Sequence, residues 1–551
     1  MNKRSPLSIL VRVMLTLAIW FAIFWFALPA INFASADFRF WLIVAILIAA
    51  LLNFAPGMKT TLQYFKMKLM RYNYTGPVVE VPRTFVAILG VCAGIIVISL
   101  VITFVGAPVF NAGAYHDLIE VTDGDFTEDV AEIGMNSIPV VDRATANRLG
   151  SRKLGEISDM ISQFEIESDY TQINYKGVPT RVTPLVYADP IRWLYNMRDG
   201  IPAYITVNLV TQETDLVRLE DGIKYSRGDY FMRNIDRYLR FKYPTRIFDE
   251  ISFEIDDNGV PYWVAPTINY EIMLWSGKNI DGAVLVNAVT GESKYYTFEE
   301  IPSWVDQVCI SELVIQHLNY YGLYGSGFIN SIFGQRGVLA TTEGYNYLAL
   351  DDDVYLYTGL TSVLSDESNI GFVLVNLRTK ETKFYTVPGA EEYSAMSSAE
   401  GQVQNLKYKA TFPILLNIAG RPTYFLSLKD NAELVKMYAF VDVEQYQIVA
   451  TGVTVAEAQK NYVEKLKSAD VKADIGSATK TSASGTVSAV SPVVISGTTG
   501  YYFKLEGDEA IYFASITVND RLAFLTAGDH IEVDYTEIDG LREVTEIIWK
   551  S

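Results

Sequence analysis

The chain has 551 residues with 45 Lys/Arg against 64 Asp/Glu, three histidines and two cysteines, for a formal net charge of −19. That length provides for several domains. Cys92 in an apolar run and the distant Cys309 exclude a disulfide framework or a cysteine metal cluster. Residues 1–106 hold nine basic and two acidic residues, leaving 36 basic against 62 acidic in 107–551. The long part therefore repels nucleic acid, which is excluded as a partner, and anionic headgroups.

In chain order, the first element is apolar. No charge falls from Val13 to Ala36, a second apolar run spans Phe40 to Ala55, and a third spans Thr84 to Phe110. A bilayer core of about 30 Å takes roughly 20 helical residues, so three transmembrane helices are predicted within 1–110, the first two as an antiparallel hairpin. Ala34-Ser35-Ala36 resembles a signal-peptidase site, but the apolar run before it is too long for a signal core and a second helix follows at once. Lys3, Arg4 and Arg12 precede helix one, and Lys59, Lys66, Lys68, Arg71 and Arg83 lie between helices two and three with the single acid Glu80. Positive charge inside puts the N-terminus and the basic loop 56–83 in the cytoplasm, and everything from about residue 110 outside, as a multi-pass cell-membrane protein. Gly57 to Tyr74 mixes basic and aromatic residues and reads either as an interfacial helix or as an ordinary loop.

After a connecting segment, 111–170, the sequence repeats itself. Val207-Asn208-Leu209-Val210-Thr211-Gln212-Glu213-Thr214 recurs as Val286-Asn287-Ala288-Val289-Thr290-Gly291-Glu292-Ser293 and as Val375-Asn376-Leu377-Arg378-Thr379-Lys380-Glu381-Thr382, with a weaker fourth copy from Val441-Asp442. Each copy joins two β-rich runs, so it reads as a hairpin turn. Helical stretches follow at 227–241, 299–321, 390–404 and 455–467. Aromatic strands precede the later copies at Tyr262, Tyr347 and Tyr424. The prediction is four α+β modules over 171–467, each antiparallel sheet covered by its following helix. These hairpins resemble those of PepSY and PepSY-like exported modules. The resemblance implies a binding or regulatory role, in some members control of exported peptidases, and carries no catalytic residue.

Residues 468–484 are small and polar and read as a linker. Five strand-like runs follow at 485–494, 501–505, 511–516, 530–535 and 543–549, which resembles a small OB-type all-β barrel over 485–551. Its Tyr501, Tyr502, Phe503, Tyr512 and Phe513 offer stacking faces, but four basic against eleven acidic residues argue against nucleic acid and for a protein or glycan contact.

No catalytic constellation is legible. His116, His317 and His530 are dispersed, and His317 lies on a helical pattern, where it reads as a satisfied buried histidine. The acidic clusters Asp123, Asp125, Glu128, Asp129 and Asp351 to Asp353 lack the spacing of a calcium loop and read as surface acidity. Asp256-Asp257-Asn258-Gly259 reads as a turn. No catalytic, cofactor-binding or metal residue is assigned and no cofactor is expected. The resulting expectation is a noncatalytic, membrane-anchored extracytoplasmic binding or scaffold protein of a bacterial cell envelope, integral to the membrane, with a protein or cell-envelope partner and no assigned oligomeric state. The alternatives are a transmembrane sensor or regulator of an exported protease or envelope process, and an envelope hydrolase.

Overall fold

The structure, a computed structural model, describes residues 6–69, 83–132, 138–157, 160–362, 368–469, 481–495, 498–508, 510–516, 518–538 and 541–550. The chain divides into two compact units, 1–469 and 470–551.

The first unit opens on helices α1 (Pro6–Ala27), α2 (Ala36–Leu69) and α3 (Arg83–Val105). Among the described residues two helices, α1 and α3, are long and apolar enough to cross a membrane, and their apolar windows are only 6% buried, unlike the core helices of a soluble domain. Trp20 of α1 donates its indole N–H to the Ala45 carbonyl of α2 at 2.8 Å. Buried Ala45 and Ala50 are small residues of the kind that let helix backbones approach. The hairpin expected of α1 and α2 is thus formed. The second helix differs from the expected short run, because it continues for 34 residues through Pro56-Gly57 to Leu69. The loop expected at 56–83 therefore begins as helix, and 70–82 lie outside the described residues.

Next come α4 (Pro108–His116), β1 (Thr122–Asp123), α5 (Phe126–Asp129) and α6 (Arg143–Gly155). The expected connecting segment 111–170 is therefore structured. Its main helix was hidden because α6 buries Ala146, Gly150 and Leu154, a face too small to register as hydrophobic periodicity.

Four sheet modules follow. The first has β2 (Phe164–Ile166), β3 (Thr171–Tyr175), β4 (Val178–Tyr187), α7 (Pro190–Asn196), β5 (Ile201–Asn208) and β6 (Thr214–Ile223). Next are α8 (Ile235–Lys242), β7 (Ile247–Phe248), β8 (Ser252–Ile255), β9 (Pro261–Ile272), β10 (Ser276–Asn287) and β11 (Ser293–Tyr296). The third module has α9 (Ser311–Tyr324), β12 (Leu339–Thr341), β13 (Asn346–Leu350), β14 (Asp353–Ser362), β15 (Ser368–Asn376) and β16 (Thr382–Tyr385), followed by β17 (Gly389–Ala390). The fourth has α10 (Glu392–Gln402), β18 (Lys409–Ala410), β19 (Ile414–Ile418), β20 (Arg421–Lys429), β21 (Val435–Asp442) and β22 (Val449–Gly452), and α11 (Val455–Ser468) closes the unit. In every module two short strands pair end to end along one long strand, which continues as an antiparallel meander. β1 extends the third sheet in parallel on β16.

The repeat is as expected, but its frame is shifted. The residue after each turn asparagine or aspartate is buried, and its carbonyl accepts N–H groups from the segment that precedes that module's sheet. Leu209 O accepts from Val140 and Val141, Ala288 O from Lys224 and Tyr225, Leu377 O from Val308 and Cys309, and Val443 O from Ala390. The helix following each of these segments (α6, α8, α9 and α10) thus leads its module instead of ending it. Sequence order alone assigns a helix equally well to the sheet before or after it.

The turns are built alike. Asn208, Asn287 and Asn376 each accept two N–H bonds on Oδ1 at 2.9–3.0 Å, from Val210 and Thr211, Val289 and Thr290, and Arg378 and Thr379. The threonine hydroxyl then accepts from the glutamate N–H, and Gln212, Gly291 and Lys380 take the left-handed conformation (φ +64°, +75° and +66°). Asn287→Ala strips two donors of their partner and is expected to cost about 1–2 kcal/mol in thermal unfolding of the purified protein, with Asn287→Asp costing less. A loss as small for Ala as for Asp would remove the side-chain oxygen from this account.

The second unit is a closed barrel of β23 (Thr481–Ile495), β24 (Thr498–Leu505), β25 (Ile511–Ser515), β26 (His530–Ile538) and β27 (Leu541–Trp549) in the order β23-β24-β25-β27-β26, with β25 and β27 parallel. All five expected strands are present. Leu522 lies fully buried in the barrel core, which includes Val487, Phe503, Tyr512 and Ile531. The linker expected at 468–484 is shorter than its composition implies, because Thr481 to Thr486 already pair with β26. Those small residues carry no apolar alternation, so the ladder was invisible in the sequence. Residues 470–480 lie outside the described residues.

Candidate binding cavity

The breaks between each module's two short strands converge. Asp169 and Tyr170, Glu250 and Ile251, Tyr345, and Thr411 and Phe412 come from the four breaks in turn, and all line one cavity of about 620 Å³. That size is within the range of small-ligand sites. β3 packs against β8 and β13, and β13 packs against β19. The fourth module also reaches the first: Lys429 Nζ meets Asp142 at 2.5 Å and Arg148 Nη2 meets Glu433 at 2.6 Å.

The charges in the cavity are unequally satisfied. Burial pushes the Asp142 carboxyl up, but hydrogen bonds from Lys429 and Thr145 outweigh it and hold it below its ordinary value. Asp169 is held by Arg143 at 2.7 Å and Arg227 at 3.4 Å. Burial, and then the nearby carboxylates of Asp169 and Glu312, push Glu250 up. Tyr345 donates its hydroxyl to Glu312 at 3.1 Å, and Tyr347 shares a hydrogen bond with Ser311 at 2.9 Å.

Arg181 differs from the others. It is 8% exposed, and burial lowers its pKa to about 10, so it stays charged near neutrality. Its guanidinium donates to the Tyr170 carbonyl at 3.5 Å and to Gln172 Oε1 at 3.2 Å, while the Nε–H is buried without a partner. A buried cation with a spare donor in a cavity favours an anionic or strongly polar acceptor. Arg181 sits mid-strand on β4, and nothing in its local sequence marks it. Only the convergence of four modules turns it into a cavity residue.

Behind the cavity lies a buried acid pair. Glu254 is fully buried and accepts from the Asp306 and Gln307 amides at 2.8 and 3.1 Å and from Ser252 at 3.0 Å. Asp306 accepts from Asn174 N at 2.7 Å on one oxygen, and the other oxygen is buried without a partner. Burial pushes Glu254 up to about 7, and burial plus the neighbouring Glu254 pushes Asp306 well above the carboxylate range.

The residues weighed in the sequence have structural employment. His317 is buried on α9 with Nε2 at 2.8 Å from the Lys278 carbonyl and Nδ1 without a partner, so it is only half satisfied, and burial lowers its pKa to about 4. His116 lies beside Asp117 and stacks on Tyr321, and His530 is 3.4 Å from Thr486. Asp125 caps α5, Asp129 pairs with Lys383, and Asp353 pairs with Arg378 at 2.6 Å. Asp256 Oδ1 accepts from Asn258 and Val260 in the expected turn, with Gly259 at φ +78°. Cys92 and Cys309 are free and buried. Among the described residues no group of three or more His, Cys, Asp or Glu is placed to hold a metal ion.

No family model and no curated protein matches the chain. Among solved structures, crystal structures of Bacillus subtilis levansucrase, one of them a point mutant, align over 79% and 78% of this chain and 97% and 96% of their own. Identity is 11% and 10% and the TM-scores are 0.16 and 0.15, a likeness that carries no argument about fold or function.

Proposed function

We propose that the chain is a noncatalytic, membrane-anchored binding protein of a bacterial cell envelope. Three helices cross the membrane with the N-terminus inside, and the four modules stand outside as PepSY-like repeats followed by an OB-type barrel. The unburied apolar surfaces of α1 and α3 support the anchor. The 34-residue α2 is about 50 Å long, more than a bilayer core needs, so its Lys-bearing end projects on the inner side. The observation that carries the binding role is the shared cavity with its buried, incompletely partnered Arg181. Its ligand is a polar segment of an envelope protein or glycan, with a carboxylate or carbonyl taken by Arg181 and flat groups taken by Tyr345, Tyr347 and Phe412.

A photocrosslinking residue at Phe412 in living cells is expected to give one discrete adduct, lost when Arg181→Gln is combined with it. The same probe at exposed Val453 is expected to be indifferent to Arg181. An adduct at 412 that persists in Arg181→Gln sinks the arginine's role, and turnover of an envelope substrate by the purified protein sinks the noncatalytic reading. The continuity of α2 favours one second reading, a sensor. Arg39 near its outer end lies 4.1 Å over the Trp275 ring of the second module, and the same helix continues through Pro56-Gly57 to Leu69 at the inner end, which gives module movement a covalent path inward. Loss of every specific cytoplasmic partner in proximity labelling from residue 69 would sink that version.

A further inference from the structure

The three outer helix ends are all engaged by the module domain, α2 through Arg39, which lies 4.1 Å over the Trp275 ring. At the end of α1, Arg240 Nε donates to the Leu28 carbonyl at 2.8 Å, Ile31 N donates to the Pro244 carbonyl at 2.7 Å, and Phe241 meets Phe24 edge-on at 5.8 Å. At the end of α3, Trp275 donates its indole N–H to Thr103 at 3.0 Å. Just beyond, Tyr115 of α4 donates to the Gly106 carbonyl at 2.9 Å and packs against Tyr320 of α9 at 4.9 Å.

Beside each of these anchor points an apolar tip stands in the open. Phe231, 64% exposed, is tied to the α1 end because Arg237 donates to its carbonyl at 2.9 Å while lying 4.5 Å over the Trp25 ring. Leu194 is exposed on the neighbouring α7, whose Trp193 ring lies 6.0 Å from that of Phe231. Met273 and Leu274 form the β9–β10 tip next to Trp275 and are more than half exposed. Ile329 and Phe333, the latter 84% exposed, follow the end of α9, where Phe328 stacks on Tyr324. Scattered exposed apolar residues are ordinary, but three tips gathered at the ends of apolar helices form a patterned surface.

Charge points the same way. The domain is acidic, yet residues 231–246, which wrap the end of α1, hold five basic residues against one acidic one. A basic seam with aromatic neighbours at that level matches a headgroup region and not open solvent.

We propose that the module domain rests on the bilayer beside its own anchor, with the Phe231, Leu274 and Phe333 tips in the interface and the 231–246 seam against anionic headgroups. This rests on the reading that α1 and α3 span the membrane. It also reverses, for this one face, the repulsion that net charge alone implies.

The test uses the full chain in vesicles of phosphatidylethanolamine and phosphatidylglycerol, with the buried Cys92 and Cys309 replaced by alanine. Single nitroxide labels are placed at positions 231, 274 and 333, in α3 at Val97, and at exposed Val453 of the fourth module. Collision with oxygen against a water-soluble nickel complex is read by electron spin resonance. The expected result is an oxygen-to-nickel ratio at 231, 274 and 333 several-fold above that at 453 and approaching that at 97. Replacing the anionic lipid by phosphatidylcholine is expected to lower the ratio at 231, beside the seam, more than at 333. Ratios at the three tips equal to that at 453, with 97 still in lipid, overturn the proposal and leave the anchor intact. Tips shielded from both reagents overturn it in favour of a protein cover. A water-like ratio at 97 instead removes the membrane reading itself, and an unchanged ratio at 231 on lipid exchange removes the headgroup contact.

Discussion

Asp442→Ala is expected to destabilise the module domain by about 3–5 kcal/mol, the range for removing one partner of a buried ion pair. Asp442 is fully buried and accepts four hydrogen bonds: from Arg421 Nε at 2.6 Å and Nη2 at 3.0 Å, from the Gln445 amide at 2.7 Å and from the Tyr462 hydroxyl at 3.1 Å. Arg421 is itself nearly buried, and its other contact, Glu444, is partly exposed, so the lost charge is poorly replaced. Truncation therefore leaves the guanidinium on Glu444 alone, strands a turn amide, and removes one of the two partners of the buried Tyr462 hydroxyl that ties α11 to the fourth sheet, the other being Thr423 Oγ1 at 3.0 Å. Asp442→Asn keeps the shape and most acceptors and is expected to cost less than Ala. A double-mutant cycle with Arg421→Ala, read by thermal unfolding of the full chain in detergent, is expected to give a coupling of about 2 kcal/mol or more. Additivity of the two losses would show that the aspartate acts only as a turn residue.

This pair also shows what the sequence could and could not disclose. Val441-Asp442 was legible as a fourth, weaker copy of the hairpin, because turn chemistry is local and Asp can replace Asn as an acceptor. Its partner Arg421 lies twenty-one residues away across β20, and nothing in local pattern links the two. The same holds for the cavity. Tyr347 reads as a strand aromatic, and nothing local marks Tyr345, Phe412, Glu250 or Asp169, since each module looks complete alone. The four strand breaks are only three or four residues long, below the resolution of periodicity arguments, and yet each supplies part of the lining. The apolar helices were legible because their signal is summed over about twenty residues, whereas α6 escaped because its buried face is Ala146, Gly150 and Leu154.

The acid pair behind the cavity makes the domain sensitive to pH. Glu254 and Asp306 have folded-state values raised above those of exposed carboxyls, chiefly by burial. A group raised in this way binds more protons folded than unfolded between the two values. Its contribution is therefore fully present below the unfolded value of about 4 and is lost as pH rises through the folded value. For Glu254 that loss is centred near 7. Glu254, with three donors, is the better place for the charge, and Asp306, with one accepted bond and one bare oxygen, is the better place for the proton. Asp306→Asn mimics the protonated acid and is expected to raise stability at about pH 8 by about 1–2 kcal/mol, with little change near pH 5. Asp306→Ala leaves the Asn174 amide unpaired and is expected to destabilise at both. Hydrogen exchange at the Asp306 and Gln307 amides across that range gives the local readout. In the native chain protection is expected to fall as pH rises, after correction for intrinsic rates, and in Asp306→Asn the slope is expected to flatten. Equal slopes in the two proteins would mean that the pair does not titrate within the folded domain.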